Sequence, residues 1–445
     1  MKVDERAVSV IRKLKQNGHP AYLVGGCVRD FLLDKEPKDW DIATSATPDE
    51  VISCFAEPHF PVIGTGLRHG TVSVIADGMP IEVTTFRVDG AYSDHRHPSG
   101  VTFVKSLKED LSRRDFTMNA LAYDVDSGII DYFEGEDDLA KRRIRAVGNP
   151  DQRLQEDALR ILRALRFSAV LSFGIEPGLA QSIHKNKELL RQISRERIQA
   201  ELSKMLLGEN IGKILLDYPD VLAAFLPEIQ PAVGFAQKSP YHIYDVWAHT
   251  AHSVACAIPD LLVRLTMLFH DLGKPSTFSV DDTGTGHFYQ HNKRSEELAA
   301  LRLNDLRFDN ETIHTVTKLV RWHDAQIAPE HLPRWLNKLG EDHLRRLFAI
   351  NRADALAQNP RSGAAKLREI ETLEHDLDQL LENTPCYQLK DLAINGNDIQ
   401  NLGVRQGPEV GRILHLLLDK IMDAELENDR DTLLVFCKTQ FQVRN

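Results

Sequence analysis

The pattern of apolar residues changes once along this chain, near residue 150, and that change restricts the fold more than any other feature. Between residues 21 and 147, short β-branched runs alternate with Gly, Pro and short helical stretches, which is typical of a small α+β domain. After residue 150, apolar residues recur at three- and four-residue spacing, as in 158–170 and 198–207, which indicates helices. The sequence therefore predicts an α+β domain followed by an all-α remainder.

Length and charge refine this division. A chain of 445 residues is long enough for several cores, and we expect four parts, 1–148, 149–208, 209–365 and 366–445. The net charge of −11 argues against a nucleic-acid partner. However, 141–207 carries 14 Lys and Arg against 7 Asp and Glu, whereas 365–445 carries a net charge of −6. The basic segment fits either a groove for a polyanion or helices with solvated side chains.

The cysteines and the N-terminus indicate the compartment. Five scattered cysteines without a Cys-x-x-Cys spacing favour a reducing environment. The first 16 residues lack the apolar segment of a signal peptide, and no apolar run is long enough to cross a bilayer. We expect a cytoplasmic protein with no membrane partner, and the oligomeric state stays open.

Two glycines follow the first predicted strand. Gly25 and Gly26 allow the main chain to turn tightly, so that backbone N–H groups can face phosphates at the start of a helix. A glycine pair alone is more often an ordinary turn. Its meaning depends on the acidic residues that come next.

Asp39 and Asp41 are separated by one residue where a strand is predicted to begin. Because side chains alternate across a strand, both carboxylates are expected on one face, where they can share divalent cations such as Mg²⁺. Glu82, on the predicted strand 81–86, is the expected third carboxylate. A random Asp-x-Asp is usually a solvated strand edge, but the preceding glycines and apolar flanks favour a metal site.

An ordered set of motifs accompanies these residues. The motifs are Gly25-Gly26-x-x-Arg29-Asp30, Asp39-Trp40-Asp41-Ile42-Ala43-Thr44, Glu82 to Arg87, Arg113 to Ala120, Asp131 to Gly135, Arg153-x-x-Glu156-Asp157-x-x-Arg160-x-x-Arg163-Ala164-x-Arg166-Phe167 and Ile193-Ser194-x-Glu196-Arg197-Ile198. Over residues 21–207 the set resembles the class II tRNA nucleotidyltransferases, the family of bacterial CCA-adding enzymes and poly(A) polymerases. The resemblance implies a polymerase-β-like head followed by an all-α neck, body and tRNA-binding tail.

The same resemblance implies the chemistry of the site. Asp39, Asp41 and Glu82 are the implied catalytic carboxylates, with Mg²⁺ on the two aspartates. The implied substrates are CTP, ATP and the tRNA 3′ end. The implied nucleotide-binding residues are Gly25, Gly26, Arg29, Arg113, Arg114, Asp115, Asn119, Asp157, Arg160, Arg163 and Arg166.

Asp157 and Arg160 have a further expected role. Three residues apart on a predicted helix, they lie on one face, where a carboxylate can accept from an exocyclic amine and a guanidinium can donate to a ring nitrogen or carbonyl. C and A present that pattern, whereas G and U present the opposite one. The alternative is a surface pair between Glu156 and Arg160. The resemblance implies that the loop 89–98 helps the site switch from CTP to ATP, and its full length favours complete CCA addition over addition of C and C alone. Addition of A alone, or of poly(A), stays the alternative within the same family.

A second set of residues lies in the body. His249, the adjacent His270 and Asp271, and Asp354 resemble the HD phosphohydrolase superfamily and imply a second divalent metal. The region can be an active phosphohydrolase on RNA ends or a scaffold with a vestigial site. A chain that is mainly such a phosphohydrolase, or an idle RNA-binding protein, is the alternative from another class.

Overall fold

The computed structural model describes residues 3–56, 60–90, 100–239, 243–383 and 385–441. The chain divides into two compact units, Met1–Gln230 and Pro231–Asn445. The predicted boundaries near 148, 208 and 365 subdivide these units and stay predictions. Among the described residues, no helix has the length and apolar character that a membrane crossing requires.

The first unit combines one large sheet with helices. Its strands are β1 (Ala21–Val24), β2 (Asp41–Thr44), β3 (Val62–Gly66), β4 (Thr71–Ala76), β5 (Met79–Thr85), β6 (Arg87–Asp89), β7 (Val101–Phe103), β8 (Leu121–Asp124), β9 (Gly128–Asp131), β10 (Arg143–Ile144) and β11 (Gly174–Ile175). Its helices are α1 (Glu5–Gln16), α2 (Gly26–Leu32), α3 (Pro48–Cys54), α4 (Leu107–Ser112), α5 (Gly135–Ala140), α6 (Pro150–Glu156), α7 (Leu159–Leu171), α8 (Pro177–Asn186), α9 (Arg195–Leu206), α10 (Ile211–Asp217) and α11 (Pro219–Leu222).

Seven strands form the large sheet, in the order β3-β4-β5-β2-β1-β8-β9. All neighbouring pairs are antiparallel except β2 and β5, which run parallel with Asp41 directly opposite Glu82. Strand β4 alternates between buried and half-buried residues, as expected for a sheet with one face on a core. The predicted α+β head is therefore confirmed, and its strand order places two of the three predicted carboxylates side by side.

Helix α1 forms for reasons that the sequence shows. Val8, Ile11 and Leu14 recur at helical spacing and are all buried. The Asp4 carboxylate caps the helix by accepting from the backbone N–H of Arg6. The helix packs against β1, β2 and β4, so it closes one side of the core behind the strand that carries Asp41.

The second unit is mostly helical. Its helices are α12 (Val246–Cys256), α13 (Leu261–Phe269), α14 (Lys274–Thr277), α15 (His291–Asp305), α16 (Asn310–Trp322), α17 (Leu332–Leu339), α18 (Glu341–Leu356), α19 (Pro360–Glu382), α20 (Gly396–Asn401), α21 (Pro408–Met422) and α22 (Arg430–Gln440). The all-α prediction for the remainder is wrong at one place here, where β12 (Phe278–Val280) and β13 (Gly286–Phe288) form an antiparallel hairpin. A hydrogen-bonded turn around Asp281 and Gly284 closes this hairpin. In the first unit, the short parallel pair β10 and β11 is a second departure from helix.

Candidate active site

The glycine turn after β1 has the conformation that the sequence predicts. Gly25 has φ +76° and Gly26 begins α2. A Cβ on Gly25 would lie 2.9 Å from Nη1 of Arg114. Both the left-handed φ and the close guanidinium therefore favour glycine at this position.

Two carboxylates lie side by side where β2 begins. Asp41 and Glu82 are register partners on the parallel strands β2 and β5, so their side chains share one face of the sheet. Burial raises the pKa of Asp41, and the negative charges of Glu82 and Asp39 raise it further against the opposing effect of Arg114. This oxygen-only donor set fits a hard divalent cation such as Mg²⁺, which relieves the repulsion between the carboxylates.

Asp39 is placed differently from the prediction. Strand β2 begins at Asp41, so the alternation of a strand does not extend back to Asp39. Lys38 and Asp39 lie in the preceding bend, and both side chains are exposed. The prediction that one strand directs both aspartates is therefore wrong, although the charge of Asp39 acts on Asp41.

A cavity of about 450 Å³ adjoins Asp41 and brings together most of the predicted nucleotide site. Its lining is Gly25, Gly26, Arg29, Asp41, Arg113, Arg114, Asp115, Asn119, Asp157, Arg160, Arg163, Arg166 and Phe167. Every predicted nucleotide-binding residue is in this lining. Six arginines around one open space make it suitable for a triphosphate, because each guanidinium can donate two hydrogen bonds to phosphate oxygens.

Asp110 anchors two of these arginines, and the sequence analysis missed it. Arg113 donates to Asp110 Oδ1 at 2.8 Å, and Arg114 donates to Oδ2 at 3.3 Å. Asp110 is fully buried, and this burial raises its pKa, but the charges of Arg113 and Arg114 outweigh it and hold the pKa below its usual value. The sequence does carry a signal for this contact. Asp110 on α4 precedes Arg113 and Arg114 by three and four residues, a spacing at which side chains of a helical turn can meet.

A second network crosses the cavity from α2 to α7. Arg29 donates to Oδ1 of Asn119 at 2.8 Å, and Asn119 donates to Asp115 at 3.1 Å. Arg163 donates to Asp115 Oδ2 at 2.6 Å. Burial of Asp115 raises its pKa, but Arg163 and Asn119 outweigh that effect and lower the pKa to about 2. The network therefore orients Arg29 and Arg163 in the cavity before any ligand binds.

Asp157 and Arg160 line the same cavity, but not as the sequence predicts. The prediction that both residues lie on one face of a single helix is wrong. Helix α6 ends at Glu156 and α7 begins at Leu159, with Asp157 in an extended conformation between them. Asp157 Oδ1 accepts from the backbone N–H of Leu159, which favours this break. Arg197 donates to the Asp157 carboxylate at 3.0 Å.

Arg160 is held from three sides. Its guanidinium donates to Glu156 at 2.8 Å and to the backbone carbonyls of Arg153 and Arg113 at 2.9 Å each. The ion pair between Glu156 and Arg160, which was the alternative to a role in base selection, is present. Arg160 makes this pair and also lines the cavity. Arg197 and Glu156 thus support the two residues expected to choose the base.

Phe167 is a further cavity residue that the sequence analysis quoted without a role. The guanidinium carbons of Arg166, Arg29 and Arg163 lie 3.8, 5.0 and 5.5 Å from the centre of its ring. Arg166 also donates to Glu201 at 2.5 Å. Phe167 is buried, and its ring supports the arginines from one side.

A second cavity of about 450 Å³ shares Asp41, Arg29, Arg166 and Phe167 with the first. Asp39, Lys35, Lys38 and Lys204 are among its other lining residues. Asp41 thus lies between two open spaces, which is what a reaction between two phosphate-bearing substrates requires.

The predicted residues of the body also converge. His249 Nε2 lies 3.0 Å from Oδ1 of Asp354 and 3.4 Å from Nε2 of His270. Asp271 Oδ2 lies 3.5 Å from His249 Nε2 and 3.3 Å from His270 Nε2. All four side chains are buried, and among the described residues they come from three different helices or helix ends. His291 and His323 were not among the predicted ligands, yet both lie beside Asp271.

Comparisons with known proteins agree with this geometry. The model described as the poly A polymerase head domain matches residues 21–145, which contain the sheet and the carboxylates. The model described as a probable RNA and SrmB-binding site of polymerase A matches 172–233, and tRNA nucleotidyltransferase domain 2 (putative) matches 287–437. Fold and site therefore define a nucleotidyltransferase with a polymerase-β-like head and helical body.

Full-length relatives define the family. A CCA-adding enzyme of Limosilactobacillus reuteri is 35% identical over 433 residues, 97% of this chain and 95% of that protein. One from Levilactobacillus brevis is 36% identical over 431 residues, 97% and 96% of the two chains. The crystal structure of the Bacillus stearothermophilus CCA-adding enzyme in complex with CTP shares 31% identity and a TM-score of 0.73, covering 99% and 98% of the two chains. This chain belongs to the family of CCA-adding enzymes.

Proposed function

We propose that this chain adds C, C and A to the 3′ end of tRNA from CTP and ATP. The observation that carries the proposal is the convergence of all eleven predicted nucleotide-binding residues on one cavity beside Asp41. The B. stearothermophilus relative with CTP supports the substrate class.

The reaction is an in-line displacement at phosphorus. The oxygen of the terminal ribose 3′-hydroxyl forms a bond to the α-phosphorus, the bond from that phosphorus to the bridging β-phosphate oxygen breaks, and pyrophosphate leaves. The hydroxyl proton passes to solvent. The open space beside Asp39 accommodates the RNA end, and the arginine-lined cavity holds the triphosphate.

Nucleotidyltransferases of this family generally use divalent metal ions. In this chain, Asp39 and Asp41 would hold Mg²⁺, with Glu82 as the third carboxylate beside Asp41. Bound Mg²⁺ makes the hydroxyl a better nucleophile and neutralises charge on the leaving group.

Base choice rests on Asp157 and Arg160. The Asp157 carboxylate can accept from the exocyclic amine of C or A, and the Arg160 guanidinium can donate to the adjacent ring nitrogen. G and U carry an acceptor where C and A carry the amine, and a donor where C and A carry the ring nitrogen, so neither residue finds a partner. The Arg197 and Glu156 partners fix these side chains, so the protein acts in place of a template.

The nucleotide ladder on defined tRNA ends tests this function. Full-length protein is incubated with each labelled NTP and with three tRNA substrates, which lack the terminal CCA, the terminal CA or only the final A. Sequential addition of C, C and A supports the proposal. Addition of A only, or long A tails, favours the A-adding or poly(A) alternative. The loop 89–98, on which the preference for CCA partly depended, lies almost entirely outside the described residues.

The convergence of His249, His270, Asp271 and Asp354 favours a second candidate function, a metal-dependent phosphohydrolase on RNA ends. Water oxygen bonds to phosphorus, the ester bond breaks, and the departing RNA oxygen gains a proton from solvent. Phosphate release from 2′- or 3′-phosphorylated RNA ends, and ring opening of 2′,3′-cyclic phosphate ends to a monophosphate, should persist in Asp39→Ala and disappear in His270→Ala. Absence of release from the parent protein assigns the body to scaffolding.

A further inference from the structure

A cavity of about 260 Å³ lies in the second unit between α18, α19 and the segment that follows α16. Its walls are mostly apolar: Ile327 and Pro329 come from the segment after α16, and Ile370 and Leu373 come from α19. Ligand cavities usually measure about 300 to 1,000 Å³ and combine apolar walls with a few polar groups, so this space suits a compact ligand.

Asn351 on α18 lines this cavity with an amide whose oxygen is unsatisfied. The residue is 7% exposed, and its Oδ1 atom is buried without a hydrogen-bond partner in the part of the chain that the structure describes. Such an acceptor has lost its bonds to water without gaining others, which is unfavourable. A ligand that donates to Oδ1 removes this cost, and the neighbouring Nδ2 can donate in return. The amide therefore offers an acceptor and a donor side by side.

Charged groups lie at one end of the same cavity. Asn351 and Asp354 are three residues apart on α18, so they share a face of that helix. Lys366 lines the cavity and donates from Nζ to Asp354 Oδ2 at 2.6 Å. An ammonium has three donors, so this bond leaves others for an anion. Glu369, also in the lining, has no ion pair among the described residues and can accept from hydroxyl groups.

A nucleotide has the groups that match this lining. Its base is a flat ring that apolar walls can cover on both faces. The edge of the base carries a donor beside an acceptor, and the Asn amide pairs with adenine through two such bonds. The ribose supplies hydroxyl groups for Glu369, and the phosphate supplies the anion for Lys366.

We propose that this cavity binds the base and ribose of a nucleoside monophosphate, either free or as the last nucleotide of an RNA chain. Asn351 pairs with the edge of the base, and the phosphate lies towards Lys366 and Asp354. The inference rests on the second candidate function proposed above in one respect, the approach of the phosphate to the cluster that contains Asp354.

Equilibrium dialysis of the full-length protein with labelled adenosine 3′-monophosphate tests the cavity. The buffer contains EDTA, because removal of divalent ions prevents hydrolysis and separates binding from the candidate reaction. We expect one nucleotide per chain and at least 10-fold weaker binding in Asn351→Leu, which keeps the size of the side chain and removes the amide. The melting temperature of this variant should equal or exceed that of the parent, since Oδ1 has no partner to lose among the described residues.

Asn351→Asp is the second variant, and its expected effect depends on the base. A carboxylate only accepts, so it cannot donate to a ring nitrogen of adenine, whereas N1–H and the amine of guanine both donate. We expect the affinity for adenosine 3′-monophosphate to fall and that for guanosine 3′-monophosphate to rise, with a change of at least 10-fold in their ratio. An unchanged ratio contradicts base recognition by Asn351.

Two other variants locate the bound nucleotide. Asn304→Leu is the matched control: the exposed Asn304 side chain donates to the backbone carbonyl of Ala300 on α15 at 2.7 Å, outside the cavity, and its replacement should leave binding unchanged. Asp157→Ala alters the head cavity. Loss of binding in Asp157→Ala but not in Asn351→Leu places the nucleotide in the head and overturns the proposal, as does the absence of saturable binding in the parent.

Two further measurements identify the source of the ligand and separate this inference from the candidate reaction. An RNA oligomer that ends in adenosine 3′-phosphate should displace the mononucleotide if the RNA end is the ligand, and failure to displace it assigns the cavity to the free mononucleotide. Binding in EDTA without phosphate release after divalent ions are restored removes the second candidate function and keeps the cavity. Phosphate release without saturable binding removes the cavity and keeps that function.

Discussion

The Glu156 carboxylate accepts a 2.8 Å hydrogen bond from the Arg160 guanidinium across the boundary between two helices. Glu156 does not line the nucleotide cavity, whereas Arg160 does. Under the function proposed above, this relationship gives the first residue a positioning role and the second the contact with the base. It also explains how a side chain that follows a helix break can stay fixed.

Glu156→Ala should weaken base selection more than catalysis itself. A hydrogen bond to a charged group contributes about 1.5 to 3 kcal/mol, so the preference for CTP over UTP should fall roughly 10- to 100-fold. Misincorporation assays on tRNA lacking CCA measure this ratio. Gln152→Ala is the control, because Gln152 bonds to Glu156 from the same helix without touching Arg160. Equal loss with both substrates would point to a purely structural role for Glu156.

Glu82→Gln should raise the Mg²⁺ concentration required for nucleotide addition. Glu82 is opposite Asp41 on parallel strands, and loss of one carboxylate removes a ligand and part of the negative field that attracts the cation. We expect at least a 10-fold lower rate at limiting Mg²⁺, with partial recovery at high Mg²⁺. Ser73, the other register neighbour of Glu82, provides the control Ser73→Ala. A rate that falls equally at all Mg²⁺ concentrations would contradict the metal role.

The Asp115–Arg163 pair predicts a pH-dependent contribution to stability. The pKa of Asp115 is lowered to about 2, below about 3.9 for an unfolded Asp, so its stabilisation is present above pH 4 and is lost as pH falls towards 2. The shift corresponds to about 2 kcal/mol at pH 7, of which about half is lost by pH 3. Thermal unfolding of the parent and Asp115→Asn between pH 7 and pH 3 should give melting temperatures that converge. A constant difference across that range would rule out this contribution.

The sequence predicts the head well because its signals are local. The predicted strand 81–86 lies within about two residues of β5, and the glycine turn lies where the strand-to-helix pattern puts it. Strands β3, β8 and β9 were missed because each has only four or five residues, too few for a clear alternation, although β3 pairs with β4 and β9 with β8, their neighbours along the chain. The parallel pairing of β2 with β5, which brings Glu82 to Asp41, depends on tertiary contacts that periodicity does not encode.

The candidate sites show the same limit. Residue types at fixed spacing indicated the members of both clusters, whereas the contacts that Asp110, Arg197 and Glu201 make with them depend on the three-dimensional fold. The break at Asp157 was hidden because the apolar pattern continues through it, and a single side-chain bond to the backbone of Leu159 decides the local conformation. His291 was not predicted as a ligand because it lies 20 residues after Asp271 in the sequence. The β12–β13 hairpin between them brings His291 back beside Asp271, and the sequence pattern does not show this.

Gly25→Ala should reduce nucleotide addition while the fold persists. The substitution places a Cβ on a residue with φ +76° and ψ −128°, a backbone region that residues other than glycine rarely adopt and that costs about 1 to 3 kcal/mol. The Cβ would also lie 2.9 Å from Arg114 Nη1, so that guanidinium must move out of its place in the cavity. We expect a rise in KM for CTP and ATP of about 10-fold or more, because one phosphate-facing cation is displaced. Gly18→Ala is the control: its φ of +84° is also one that side chains disfavour, but a Cβ there meets nothing within 4 Å. Steady-state kinetics with a melting curve for each variant separate the two effects, and the same KM in both variants would show that strain, and not Arg114, matters at this turn.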